Sequence, residues 1–406
     1  MYDWLERAAT RRPDALALDV VGDRLLTYSE LRGAAETAAA AISAERGETG
    51  AVELRGVGAD FATALHGALR AGVPAVPIDP RLTPEELSLR RVDVPLPYPD
   101  VATVMFTSGT TSAPKPVYLT LGNWEANAVG SALALGLDPN ERWLCVMPLA
   151  HVGGLSILLR STLYGTTVIL HERFNTEAVL AELMDPARRV TLVSLVPTML
   201  SRLLEAGLES PPGLRWALLG GGPIAQPLLE RAERARVPVA PSYGMTEGCS
   251  QIATFGVPLH RVELRLDGGE VVVRGPNFAA NTLGADGWLH TGDLGELDDR
   301  DRLRIIGRSS DTIVSGGENV APAEVEAILL EHPAVADVGV FSRPDAEWGE
   351  RVVATVVLRE GQSAAATELQ EFAGARLARF KVPKEIEFSA TLPRTVSGKL
   401  LRRQLA

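Results

Sequence analysis

Cysteine is scarce in this chain of 406 residues: Cys145 and Cys249 are the only two. Two distant cysteines exclude a disulfide framework and a cysteine-based metal site, and each reads as a small core residue. Long apolar runs are also missing. None reaches the ~18 residues that a membrane-spanning helix needs. The opening MYDWLERAATRRPD lacks the apolar stretch of a signal peptide, so the expectation is a cytoplasmic protein with no membrane insertion. Positive charge is outweighed, 40 Lys and Arg against 51 Asp and Glu, for a formal net charge of −11. That balance argues against nucleic acid as the main partner, because such partners select basic faces. It leaves open a nucleotide held by a single loop. Lysine is nearly absent, with four among the 40 basic residues: Lys115, Lys381, Lys384 and Lys399. A coding bias toward arginine explains the scarcity but not the four survivors. Lysine is a compact point charge on a thin stem, and arginine does not replace it where one ammonium must enter a tight phosphate or carboxylate site.

What is present is 46% hydrophobic, enough for a substantial core, in a length that fits two or three structural units. Residues 17–48 read as a short strand pair followed by an Ala-rich helix. From about 51 to 257, β-type runs at 101–106, 143–147, 167–170, 190–195 and 215–219 alternate with helical patterns at 122–134, 154–163, 176–184, 197–205 and 225–234. Such alternation predicts layered α/β structure with much parallel sheet. Residues 261–306 carry short strands, many Gly and Asp, and no long helix, which predicts a smaller β-rich unit. After Arg308-Ser309-Ser310 the pattern resets. A Gly-Gly-Glu-Asn loop at 316–319 precedes a helix opening at Pro322, the first-turn position that proline favours. Strands follow near 335–341 and 351–358, then a helix near 365–378. The fold class read from this order is α/β, with a large N-terminal domain over 1–309 and a small α+β C-terminal domain over 310–406.

Four segments carry chemistry. Thr107-Ser108-Gly109-Thr110-Thr111-Ser112-Ala113-Pro114-Lys115 follows a hydrophobic strand directly. Its hydroxyls, glycine, backbone N–H groups and single lysine can surround a polyphosphate, although the Walker A spacing is absent. The plain alternative is a polar surface turn. Pro241-Ser242-Tyr243-Gly244-Met245-Thr246-Glu247 ends on a carboxylate, either structural or a ligand for Mg²⁺, which prefers hard oxygens. Trp288-Leu289-His290-Thr291-Gly292-Asp293, with Gly307-Arg308 beyond, offers an Asp that in isolation reads as a turn former. Pro393-Arg394-Thr395-Val396-Ser397-Gly398-Lys399 places a lysine after a glycine that permits a tight turn.

In this order the four segments resemble the adenylate-forming superfamily of acyl-CoA synthetases, adenylation domains and luciferases. The resemblance spans nearly the whole chain. It implies ATP, Mg²⁺ and coenzyme A as reactants and cofactors, a small-molecule acid as the partner, and two half-reactions. A carboxylate first attacks the α-phosphate to give acyl-AMP and pyrophosphate; a thiol then takes the acyl group and releases AMP. By resemblance, ATP is held by Thr107, Ser108, Gly109, Thr110, Thr111, Lys115, Gly221, Gly222, Pro223, Ser242, Tyr243, Gly244, Met245, Asp293 and Arg308. Glu247 and Thr110 are implied as metal ligands, with Thr246, Glu247, His151 and Lys399 in the catalytic roles. Gly316, Gly317 and Glu318 would line the thiol channel. The C-terminal domain would be mobile about Ser310, where the family usually has Asp or Lys. Ser112 and Pro116 stand where glycine is usual in the phosphate loop. Only about twenty residues separate Ile78-Asp79-Pro80 from the phosphate-loop strand, where a longer insertion is expected.

The acid is read from Pro148–Ser161 in particular. His151 could approach the reacting carboxylate or be structural. Arg160, inside an apolar helix, needs a partner, either a second carboxylate on the acid or an internal Asp or Glu. With the segments 194–198, 219–223 and 247–251, this stretch is similar to the o-succinylbenzoate–CoA ligases of menaquinone biosynthesis, whose substrate is an aromatic keto dicarboxylate. The resemblance implies His151, Gly153, Arg160, Gly220 and Ser250 as acid-binding residues. Two other readings stay open: an enzyme loading an acid onto a carrier protein, and a non-catalytic adenylate-binding homologue. A homo-oligomer is compatible with the sequence.

Overall fold

The computed structural model describes residues 4–45, 50–90, 92, 96–98, 100–107, 114–346, 348–394 and 400–405. Among them, the largest sheet has nine strands. Six are mutually parallel neighbours in the order Val239–Met245, Trp216–Leu219, Leu192–Leu195, Arg142–Cys145, Thr167–Leu170 and Leu16–Val20. Antiparallel strands close both ends: Leu25–Thr27 at one, Ser250–Thr254 and Val257–Pro258 at the other. The inner strands are buried almost throughout, because helices cover both faces of a parallel sheet. One face packs against Val152–Tyr164 and its neighbours. The other packs against Thr176–Met184, Pro197–Glu205 and Gln226–Arg234.

The region expected to be one continuous alternation divides into two sheets. Val52–Leu54, Ala75–Pro77, Val101–Thr107 and Lys115–Thr120 form a separate four-stranded sheet, the last strand antiparallel. Apolar runs alone do not say which strands pair, so the partition is invisible in the periodicity. The β-rich unit is an antiparallel four-strand meander of Glu263–Asp267, Glu270–Arg274, Leu289–Leu297 and Leu303–Arg308. Beyond Ser309–Asp311 lies a smaller body with its own core. Its long hairpin Val335–Asp345/Gly349–Leu358 packs with helices Pro322–Leu329 and Ala366–Gly374. The architecture is thus a large N-terminal domain and a small C-terminal one. Cys145 and Cys249 are both buried and unbridged. Among the described residues no helix is long and apolar enough to cross a membrane.

Candidate functional site

Four adjacent parallel strands end on one edge of the large sheet, and their carboxyl ends release the segments singled out above. Cys145 leads to His151, Leu195 to Pro197, Leu219 to Gly220-Gly221-Gly222, and Met245 to Thr246-Glu247. In open α/β sheets ligands bind in the crevice outside these strand ends. The topology therefore gathers residues spread over a hundred positions of sequence. Both strands of the hairpin carrying Thr107 and Lys115 run beside the Thr246–Gly248 turn.

On the side expected to take the nucleotide, Asp293 is buried and already oriented. Its Oδ2 accepts from the Tyr243 hydroxyl at 2.8 Å and its Oδ1 from Arg308 Nε at 2.6 Å. The hydroxyl of Thr291 fixes the Asp293 backbone N–H at 3.0 Å. Each carboxylate oxygen keeps a lone pair for a further donor, such as a ribose hydroxyl. Glu247 is half-buried. Burial raises its carboxyl pKa, and among the described residues no cation forms an ion pair with it. Among the described residues no group of three or more His, Cys, Asp or Glu is arranged to hold a metal ion by itself. A lone carboxylate of this kind suits Mg²⁺, which is commonly held by one or two carboxylates plus substrate phosphates.

Gly244 is required by a close approach: a Cβ there would lie 1.7 Å from the Ser250 carbonyl oxygen. Gly244→Ala is expected to lower Tm and weaken nucleotide-induced stabilisation, because displacing that carbonyl costs about 1–3 kcal/mol as other overpacked sites do. Thermal melts with and without ATP check this; an unchanged Tm would show that the turn yields freely.

The remaining candidates fall in three places. Lys115 is exposed, paired with Thr107 at the end of the hairpin that adjoins its connecting segment; Ser108, Gly109, Thr110 and Thr111 between them lie outside the described residues, as does Lys399. Arg394 and Leu400, on either side of it in sequence, form a strand bridge, and Arg394 makes a two-toothed contact with Asp337 at 2.7 and 3.1 Å. Gly316 and Gly317 form the two-residue turn of a hairpin, with φ of 62° and 83°, as such turns demand, and Trp348 packs over Gly316. Ser310 is exposed in the single turn joining the meander to the small domain.

On the acid side, His151 opens helix Val152–Tyr164. Its Nε2 is 3.8 Å from Asp79 Oδ2, and Arg81 grips that carboxylate through Nε and Nη2. Burial holds the imidazole below its ordinary pKa although Asp79 opposes this. Arg160 is 1% exposed, and burial lowers it only to about 10, so it stays a cation at neutral pH. Neither an Asp nor a Glu meets it among the described residues. Its Nη2 donates to Asn127 Oδ1 at 2.5 Å, its guanidinium lies 5.7 Å from the Trp143 ring centre, and its Nε has no partner.

The AMP-binding enzyme family matches residues 5–94 and 88–280, and the AMP-binding enzyme C-terminal domain matches residues 324–399. The chain belongs to the AMP-binding enzyme family. It is 37% identical over 477 aligned positions to the 2-succinylbenzoate–CoA ligase of Bacillus subtilis strain 168, across 99% of this chain and 97% of that one. Its structure is similar to o-succinylbenzoate CoA synthetase from Bacillus subtilis in complex with the acyl-adenylate intermediate, with a TM-score of 0.89, 36% identity, and coverage of 100% and 98%. The enzyme from Bacillus subtilis in complex with ATP and magnesium ion gives a TM-score of 0.88, 36% identity, and coverage of 99% and 99%.

The chain is shorter than this Bacillus subtilis relative. The alignment runs to 477 positions against 406 residues, so the relative carries tens of residues that this chain lacks. The two stretches matched by the AMP-binding enzyme family overlap at 88–94, in the short stretch after Pro80 where a longer insertion was expected. Sequence reasoning passed over Asn127 and used Asp79 only as a landmark. A signal for Asn127 was present: Asn123, Asn127 and Ser131 recur at helical spacing in an Ala-rich helix, so one face of Leu121–Leu135 is polar, partly buried at Asn123 and buried at Asn127 and Ser131.

Proposed function

We propose that this chain is an AMP-forming acid–CoA ligase that converts 2-succinylbenzoate into its CoA thioester by way of the acyl-adenylate, the step it would serve in menaquinone biosynthesis. The observation that carries the acid assignment is Arg160: a buried guanidinium with no carboxylate partner among the described residues and an unused Nε. A buried charge is costly unless paired, and the second carboxylate of a dicarboxylic acid is a suitable partner. Full-length relatives that are 2-succinylbenzoate–CoA ligases support the reading. His151, Gly153, Gly220 and Ser250 frame the same strand ends and would orient the reacting carboxylate.

On the other side of the crevice, Asp293 would accept the two ribose hydroxyls, with Tyr243 and Arg308 fixing its plane. The Thr107–Lys115 loop would hold the phosphates. Glu247 and the Thr110 hydroxyl would hold Mg²⁺, which neutralises phosphate charge during adenylation. The division at 309/310 would let the small domain turn about Ser310. One orientation would present Lys399 and the other the Gly316–Glu318 hairpin to the coenzyme A thiol. ATP, coenzyme A and a free acid as substrates suit a cytoplasmic enzyme.

Arg160→Ala tests the assignment. A hydrogen bond to a charged group is worth about 1.5–3 kcal/mol, so KM for 2-succinylbenzoate should rise about tenfold or more while benzoate is little affected. Pyrophosphate release with both acids measures it. Equal losses would remove Arg160 from the acid site.

A further inference from the structure

Asn127, 1% exposed on helix Leu121–Leu135, uses its whole amide. Its Oδ1 accepts from Arg160 Nη2 at 2.5 Å; its Nδ2 donates to the Gly248 carbonyl at 3.0 Å and the Gln251 carbonyl at 2.8 Å. Those carbonyls bracket Cys249 and Ser250, whose φ angles are 57° and 94°. Two successive non-glycine residues in the left-handed region are strained and persist only where surroundings impose them. The imposition comes from outside the turn. Asn127 ties its two ends together, and Asn277 adds a second donor on Gly248 at 3.2 Å. The turn follows directly on Glu247. It also drives the Ser250 carbonyl against Gly244 of strand Val239–Met245. One amide thus touches both the cation of the acid pocket and the turn that ends the nucleotide site.

We propose that Asn127 is a positioning residue that couples the second carboxylate of the acid to the nucleotide side, by holding Arg160 and clamping the 248–251 turn with the same amide. The proposal rests on the reading that Arg160 receives that carboxylate. A carboxylate arriving at Arg160 either takes the unused Nε or competes with Asn127 Oδ1 for Nη2. Both events alter the group one hydrogen bond away from the clamp. A monocarboxylic acid leaves Arg160 and Asn127 as they are. Asn127 therefore matters more for the dicarboxylate, and part of its effect reaches ATP.

The test uses the full chain and pyrophosphate release with 2-succinylbenzoate and with benzoate. The proteins are wild type, Asn127→Asp, Asn127→Ser, Arg160→Ala and the Asn127→Ser/Arg160→Ala pair. Asn127→Asp sets a carboxylate against Arg160 and withdraws both donors from the turn. It should cut kcat/KM for 2-succinylbenzoate by about tenfold or more, with KM for ATP raised, and cut benzoate turnover by about threefold or less. Asn127→Ser should act in the same direction more weakly, and it carries the test if Asn127→Asp does not fold. In the Arg160→Ala background it should change the ratio between the two acids by less than about twofold, since residues in one network are not additive. Equal losses for both acids on changing Asn127, with Arg160→Ala still selective, would leave Asn127 as simple packing and overturn the proposal. Full additivity in the double variant overturns it too. Equal losses in Arg160→Ala itself remove the Arg160 reading, and the proposal falls with it for that separate reason.

Discussion

Glu247→Gln is expected to slow adenylation by on the order of 10²–10³, the usual cost of losing one preorganised contact to developing charge. The amide keeps the shape of the carboxylate and discards its charge. Glu247 stands half-buried just beyond the end of Val239–Met245, and among the described residues no basic side chain forms an ion pair with it. Its removal therefore breaks no ion pair among them, and the unliganded protein should melt no lower than wild type. The loss should appear where a metal is needed. The half-saturating Mg²⁺ concentration for pyrophosphate release should rise, and the increase in Tm caused by ATP with Mg²⁺ should shrink. An opposite pattern, in which Tm falls without ligand while the Mg²⁺ dependence stays as in wild type, would make Glu247 a structural carboxylate. Because Asp293 and Arg308 both act on Glu247, Asp293→Asn is the control: it should raise KM for ATP without moving the Mg²⁺ requirement.

How much of this was legible in the sequence depends on the range of the interaction. Thr176–Met184 and Pro197–Glu205 were readable to the residue, because an asparagine cap and a first-turn proline mark where they begin. The β-rich meander and the reset after Arg308 were readable from composition. The separation of Val101–Thr107 and Lys115–Thr120 into their own sheet was not, since pairing is decided by crossovers far away in sequence. The same holds inside the site. Tyr243, Gly244 and Asp293 were picked out as members of two motifs, but their physical reasons are mutual: the Tyr243 hydroxyl bonds Asp293, and Gly244 makes room for the Ser250 carbonyl. Arg160 announced itself as a charge in an apolar helix. Among the described residues neither partner anticipated for it inside the protein, Asp or Glu, pairs with it, and Asn127 does. The left-handed φ of Cys249 and Ser250 left no trace, because neither residue type prefers it.

Lys399→Ala is expected to cripple acyl-adenylate formation by on the order of 10²–10³ and to spare thioester formation from supplied acyl-adenylate. Composition opens the argument: a chain with four lysines among 40 basic residues keeps one here, after Ser397-Gly398. The described residues on both sides of it are anchored to the small domain. Arg394 bridges Leu400 and holds Asp337, and Arg402 holds Asp311 and Glu326 with Nη contacts of 2.9 and 2.8 Å. On the proposed rotation the lysine would travel with that domain. In one orientation its ammonium can meet the reacting carboxylate and the α-phosphate, a contact worth most in the transition state. If the domain turns about Ser310 as proposed, the lysine would be carried away and the second half-reaction would run without it. Lys399→Arg should fail as well, because the planar guanidinium does not act as a compact point charge. The two half-reactions are measured separately, the first by pyrophosphate release and the second by coenzyme A consumption from synthetic acyl-adenylate. A fall in both with an unchanged Tm would place Lys399 outside the adenylation step. A fall in both with a lowered Tm would mean that the anchored turn supports the small domain itself.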